Sequence, residues 1–300
     1  MSDRQILIFR IKPSRIKARM LALLEVKYFL SDIEAEVVIG GPLSTEKGVL
    51  AAYIPGIFSI DNLSQDFRNL GYIESVEVFR LVRMAGKNVI KWKGRSYELE
   101  TIYEEDREEV RDQASDKRRF LLPDADGNLR YVNGYRGDGT DTGRRALPME
   151  DCKLMVGISG VKKGQRILDP FGGGGGIVFA AKQSGLEVYS SDIDPILQHG
   201  LCDYGSKHFV ANVEELPFKS GFFDAVITEV PFDKNSIPII TKGLEEIVRV
   251  TTSKASVVMM TGESQADAIR QKALQLKLVS YIDQPVDRKG THVHIFGWKK

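Results

Sequence analysis

Five consecutive glycines, Gly172–Gly176, separate two apolar runs in the stretch RILDPFGGGGGIVFAA. Glycine loses more backbone freedom on folding than any other residue, so it is kept where the chain bends sharply or where another group approaches the backbone closely. Three ligands commonly sit on a glycine-rich turn between a strand and a helix, and spacing separates them. A P-loop requires Lys followed by Ser or Thr after its glycines, but Ile177 and Val178 stand there. The dinucleotide fingerprint G-x-G-x-x-G requires a final Gly or Ala. Counted from Gly172 that place is Ile177, and counted from Gly173 it is Val178. The pattern that survives is D-x-F-x-G-x-G, formed by Asp169, Phe171, Gly173 and Gly175.

The glycines lie in a region, residues 149–300, where strand and helix patterns alternate. Strands are expected near Ile167, Val188, Phe209, Val226 and Val257 with helices between them, which calls for a mostly parallel sheet covered on both faces. The end departs from that rhythm, because LKLVSYIDQPVDRKGTHVHIFGW holds two strands and no helix. The expected fold class is therefore α/β, Rossmann-like, with a C-terminal antiparallel hairpin. This arrangement resembles class I methyltransferases rather than the ordinary dinucleotide-binding fold.

Residues 1–83 read β-α-β-β-α-β, the order of an α+β ferredoxin-like domain. QILIFRI is the first strand. The following helix carries Ile16, Met20, Leu23, Leu24 and Tyr28 on one side. A second helix is expected over SIDNLSQDFRNLG, with Asp61 as N-cap and Gly71 as C-cap. Residues 84–148 read as a linker or insertion able to contact RNA. NVIKWKGRSYELETIY suits a hairpin about Lys93-Gly94, EEDREEVRDQASDKRR a solvated helix, and PDADGNLRYVNGYRGDGTDTGRR a turn-rich loop.

The Asp-Pro-Phe-x-Gly-x-Gly stretch resembles the S-adenosylmethionine motif of class I methyltransferases. That resemblance implies S-adenosylmethionine as cofactor, with the glycines against its amino-acid part and Asp169 near its amine. It also implies that Asp192, in EVYSSDIDP, accepts from both ribose hydroxyls, and that Asn212, in HFVANVEELPF, meets the adenine amino group. At the fourth strand, where amino-methyltransferases carry Asp/Asn-Pro-Pro-Tyr/Phe, this chain has Glu229-Val230-Pro231-Phe232. In that motif the first side chain and a proline carbonyl accept from an exocyclic amine while the ring stacks on the base. The work is positioning, and a structured nucleic acid must flip its base to be reached.

Together with SSDIDP and VITEVPF, the glycine stretch is similar to the tRNA guanine-N2 methyltransferases associated with THUMP domains, those acting at position 10 included. The similarity covers residues 144–300. It implies methylation of guanosine N2 in tRNA, an RNA partner, and in some members a small zinc-binding activator protein. Two departures stand out. Glu229 adds a methylene to the usual Asp, moving its oxygens by about 1.5 Å, and misplacement on that scale can cost about 100-fold. Val230 replaces a proline, which restores a backbone N–H and should loosen the turn. No complete THUMP domain is visible between Arg83 and Arg144. Two other functions fit the same residues: a catalytically silent RNA-binding homologue, and N-methylation of DNA or protein.

Other features are less specific. Arg4, Arg10, Lys12, Arg15, Lys17 and Arg19 gather near the N-terminus and suit either phosphate binding or a solvated face. Tyr131, Tyr135, Arg136, Arg144 and Arg145 suit a loop that orders on RNA. His292 and His294 share a strand face without further ligands nearby, so no metal is expected. Asp233 either orients substrate or caps a loop. A net charge of +1 rules out a strong overall polyelectrolyte attraction. Cys152 and Cys202 give neither metal spacing nor a disulfide framework. With no leader and no membrane-length apolar run, a cytoplasmic location is expected.

Overall fold

The computed structural model describes residues 4–55, 59–63, 66–82, 89–113, 118–133, 147–288 and 291–300. The chain divides into two compact units, Met1–Val110 and Arg111–Lys300.

The first unit contains β1 (Arg4–Ile11), α1 (Arg19–Phe29), β2 (Glu36–Ile39), β3 (Val49–Pro55), β4 (Ile73–Val82), β5 (Ile90–Trp92) and β6 (Arg95–Glu104). They form an antiparallel sheet of order β2-β3-β1-β4-β6-β5. The first four strands have the ferredoxin-like order. Lys93 and Gly94, at φ 46° and 74°, make the left-handed turn of a tight hairpin. That hairpin extends the sheet past β4, with Phe79 stacked on Tyr97 at 4.3 Å. The unit therefore reaches Val110, beyond the boundary at residue 83 drawn from the sequence.

The helices differ from expectation for an identifiable reason. The buried face of α1 is Leu21, Ala22, Glu25 and Val26, whereas Met20 is 53% exposed. Glu25 is wholly buried because its carboxylate accepts from the backbone N–H of Gly71 at 2.6 Å and of Tyr72 at 3.1 Å. An acidic residue on the inward face hides the apolar stripe from a hydropathy count. Gly71 thus supplies a donor to this carboxylate, and the C-cap of the preceding turn is Leu70 in an extended conformation. In place of the second helix are 3-10 turns at Ile60–Leu63 and Phe67–Asn69, and the side chain of Asp61 lies outside the described residues.

The basic cluster is largely neutralised. Arg10 pairs with Glu77 at 3.0 Å and Glu46 at 2.7 Å, and Lys12 pairs with Glu105 at 2.6 Å. Arg15 is buried over the Tyr72 ring, leaving Lys17 and Arg19 exposed. The Arg4 side chain lies outside the described residues.

The helix α2 (Arg107–Gln113) spans the division between the units, and its start is capped by the Asp106 carboxylate. Next come β7 (Arg119–Pro123) and β8 (Leu129–Asn133), an antiparallel hairpin where the sequence suggested only a turn-rich loop. Asp124 accepts from the N–H of Asp126 and of Asn128, and Gly127 takes φ 83°, which closes the turn. The remaining elements are α3 (Met149–Ser159), β9 (Arg166–Asp169), α4 (Gly176–Gln183), β10 (Glu187–Asp192), α5 (Gln198–Asp203), β11 (Lys207–Val210) and β12 (Phe223–Glu229). They are followed by α6 (Ile237–Val250), β13 (Thr251–Gly262), α7 (Ala266–Gln275), β14 (Val279–Arg288) and β15 (Thr291–Lys299). The sheet order is β11-β10-β9-β12-β13-β15-β14. Five strands are parallel, and β15 runs antiparallel between β13 and β14. This is the Rossmann-like class I methyltransferase arrangement. Among the described residues no helix is long and apolar enough to cross a membrane.

Exchanging Glu25 for Gln leaves one amide N–H2 facing a backbone donor in a site that admits no water. Glu25→Gln is expected to lower the hydrogen-exchange protection of β1 and β4 by about 2 kcal/mol. Unchanged protection would show that the carboxylate is not what closes this unit.

Candidate active site

The carboxyl ends of β11, β10, β9 and β12 share one edge of the sheet, and chain order reverses between β9 and β12. Open α/β sheets form their binding crevice at such a point. Asp169 ends β9, Asp192 ends β10 and Glu229 ends β12, while Asn212 follows β11. The topology thus brings residues from four separate motifs of the sequence to one edge.

The glycine turn joins β9 to α4 and crosses this edge. Gly173 and Gly175 have φ of +46° and +70°, conformations L side chains rarely adopt. The turn is also packed from behind. A Cβ on Gly175 would stand 2.7 Å from the Tyr204 ring, and one on Gly176 would stand 2.8 Å from Cys152 Sγ. At Gly173 the nearest atom to a Cβ would be the Phe171 carbonyl oxygen at 3.7 Å, so its other side is open. The Gly173 N–H donates to Asp192 Oδ2 at 2.9 Å, and the Gly172 N–H to the Ser191 carbonyl at 2.9 Å. Asp192 also accepts from the Asp194 N–H at 3.1 Å. The turn and the end of β10 are thereby tied together. Ile193, next to Asp192, is 71% exposed.

Asp169 is buried beneath the turn. Its Oδ1 accepts from Thr228 Oγ1 at 2.7 Å and from the Phe171 N–H at 3.3 Å. Burial raises its pKa to about 7, against the lowering effect of those two hydrogen bonds, and the charges of Asp192 and Glu229 push it further up. Three carboxylates therefore feel one another here, and a cation entering the site would relieve their repulsion. Phe171 packs against the core beneath.

The end of β12 is fixed by neighbours the sequence did not point to. Val230 is buried in the core, and its N–H donates to the Met260 carbonyl at 3.0 Å, a ladder bond that a proline could not supply. The substitution tightens this turn, contrary to the loosening expected from restoring an N–H. Gln265, also wholly buried, donates through Nε2 to the carbonyls of Pro231 and Asp233, both at 2.8 Å. Its Oε1 accepts from Thr261 Oγ1 at 2.6 Å and from the Gly262 N–H at 3.1 Å. One side chain thus clamps the Glu-Val-Pro-Phe turn to the end of β13, and takes up the Pro231 carbonyl in doing so. Phe232 lies against Gly262, where a Cβ would meet the Phe232 Cβ at 3.3 Å. Asp233 caps the following 3-10 turn through the Asn235 N–H.

Asn212 is exposed and folds over its own turn, holding the Glu214 N–H at 3.0 Å. Of the two histidines, His292 is exposed and His294 is buried between Asp283 and Glu263. Asp283, paired to Arg270 and His294, has its pKa lowered to about 2. Tyr131 stacks beneath Arg119 and bonds Asp203. Tyr135, Arg136, Arg144 and Arg145 lie outside the described residues.

No family model matches the chain. A stretch of 90 residues, 27% of the chain, is 39% identical to tRNA (guanine(10)-N2)-dimethyltransferase of Methanothermobacter thermautotrophicus and covers 26% of that protein. An uncharacterized protein of Mycobacterium tuberculosis strain H37Rv is 35% identical over 86 residues, 26% of this chain and 30% of its own length. The chain thus matches under a third of the length of these curated relatives. Among solved structures, that of TrmN from Thermus thermophilus superposes with a TM-score of 0.52 over 99% of both chains at 13% identity. The likeness is one of fold.

A carboxyl raised to about 7 keeps its proton in the folded chain between roughly pH 4 and 7, where the unfolded chain has lost it. The stability this contributes is complete below the unfolded value of 3.8 and is lost as pH rises through about 7. Asparagine retains the Oδ1 acceptor without the charge. Asp169→Asn is expected to match the parent at pH 4 and to exceed it at pH 8 by of order 2–4 kcal/mol in urea titrations. Parallel stability curves would place an ionised carboxylate in the folded chain across this range.

Proposed function

We propose that the chain is an S-adenosylmethionine-dependent N-methyltransferase acting on guanine N2 in tRNA. The observation that carries this reading is the joining of an open glycine turn to the Asp192 carboxylate at a sheet edge where Asp169 and Glu229 also converge. The residues fit the cofactor in three respects. The open side of Gly173 leaves room for a ligand against the backbone, the carboxylates suit its positive charge, and exposed Ile193 offers an apolar face to an adenine ring. Asp192 would hold the ribose hydroxyls, Asn212 the adenine edge, and Asp169, Phe171, Gly173 and Gly175 the amino-acid end. Bound there, the cofactor supplies an electrophilic methyl group on a sulfonium.

Substrate choice rests on the end of β12 and on the stretch shared with the guanine(10)-N2 enzyme. Glu229 would accept the N2–H of a flipped guanine, aim the nitrogen lone pair, and take the proton released when the N–C bond forms. Phe232 would stack on the base, with Pro231 held behind it by Gln265. Base–aromatic stacking of this kind contributes about 1–3 kcal/mol. With Glu229 in place of Asp, the added reach lets one carboxylate accept from both N1–H and N2–H of guanine. The tRNA itself, and with it a cytoplasmic location, belongs to this proposal. A catalytically silent RNA-binding protein is favoured by one observation only, the departure of Glu229-Val230 from the family's tetrapeptide.

The test is transfer of labelled methyl from S-adenosylmethionine to unmodified bulk tRNA, followed by digestion to nucleosides. Labelled N2-methylguanosine is expected. Glu229→Ala is expected to lower kcat about 100-fold or more while cofactor affinity stays within about twofold, because the lost contact is to the base. Cofactor binding by the parent protein without methyl transfer to any tRNA would instead support the silent protein.

A further inference from the structure

Arg118 is an unusual residue to find inside the second unit. It is 6% exposed, yet its Nε and Nη1 are buried without a hydrogen-bond partner. Its Nη2 reaches only the Leu147 carbonyl, at the long distance of 3.5 Å. Among the described residues it forms no ion pair. A guanidinium does not give up its proton in a protein, so this is a buried charge left uncompensated, an arrangement that costs several kcal/mol.

Its position adds to the anomaly. Nη1 and Nη2 lie 3.2 and 3.3 Å from where a Cβ of Gly176 would stand, and Gly176 is the first residue of α4. A helix N-terminus carries about half a positive charge and several N–H groups outside the helical ladder. A cation beside it is repelled. The guanidinium and the helix end therefore make the same unmet demand, for an anion placed between them. The wall about them is apolar, with Phe120, Leu147 and Cys152 all buried. Such an enclosure admits the slender end of a small ligand and excludes a phosphate carried within a polynucleotide backbone.

We infer that Arg118 is the counter-ion of a carboxylate, that of the amino-acid portion of the ligand seated on the glycine turn. This assignment rests on the cofactor reading given above and adds a recognition element to it. The β7–β8 hairpin, which brings Arg118 to the turn through Phe120 wedged against Gly200, then belongs to the binding site. Gly200 has no room for a Cβ, which would stand 2.1 Å from the Phe120 ring.

The experiment is calorimetric binding to the full chain of two ligands. One is S-adenosylhomocysteine, and the other is 5′-methylthioadenosine, which keeps the nucleoside and sulfur but lacks the amino acid. Arg118→Met is expected to weaken S-adenosylhomocysteine about 30- to 100-fold and to leave 5′-methylthioadenosine within about twofold. It is also expected to raise the Tm of the ligand-free chain, since an unpaired buried charge has been removed. Arg118→Lys keeps the charge without the fork, so an intermediate loss of about tenfold is expected. Equal weakening of both ligands, or of neither, would overturn the assignment. So would stabilisation by inorganic phosphate that depends on Arg118 while S-adenosylhomocysteine affinity does not. If the parent chain binds neither nucleoside, the underlying cofactor reading fails, and the assignment with it.

Discussion

The backbone amide of Gly173 reaches the Asp192 carboxylate because the turn from β9 to α4 takes a left-handed path that only glycine follows without strain. The turn has no freedom to relax. Tyr204 closes on Gly175, Leu201 on Gly172, and Cys152 with Arg118 on Gly176. Side chains are absent from this loop chiefly because other side chains pack behind it, and one face at Gly173 is left open. Everything placed at the sheet edge depends on this fastening. It sets where α4 begins, holds Asp192 in a fixed orientation, and roofs over Asp169.

Burial beneath that roof gives the site its electrostatic character. Asp169 sits on Thr228, away from water, within the fields of Asp192 and Glu229. Arg118 approaches the same turn from the other side with an unmet positive charge. A pocket with carboxylates on one flank and a guanidinium with a helix N-terminus on another suits a zwitterionic ligand. An amino acid bearing a further cation has that pattern of charge. The clamp made by Gln265 serves a different purpose, since all its polar atoms are spent on holding the Pro231 turn and none is left for a ligand.

The strand ends could be read from the sequence because their constraints are local. Apolar runs of strand length, each closed by an acidic residue, identify Asp169, Asp192 and Glu229 without reference to anything distant. The C-terminal hairpin was legible for the same reason. What escaped was set by partners far along the chain. Glu25 looks like a surface residue of α1 until it is seen to accept from Gly71 and Tyr72. Gln265 and Thr228 carry no motif of their own. The β7–β8 hairpin was hidden by its polar outer face, although Phe120 and Leu122 alternate and DADGN is a turn sequence. Val230 read as a defect in a motif, and its ladder bond to Met260 shows it to be an anchor.

The account stands most directly on what the glycine turn holds. The measurement that decides it is a crystal structure of the full chain grown with S-adenosylhomocysteine. The account predicts the ligand at the carboxyl ends of β9 and β10, its ribose hydroxyls on Asp192 and its amino-acid end along Gly172–Gly176. Saturating ligand bound elsewhere, or a turn left empty, would contradict it.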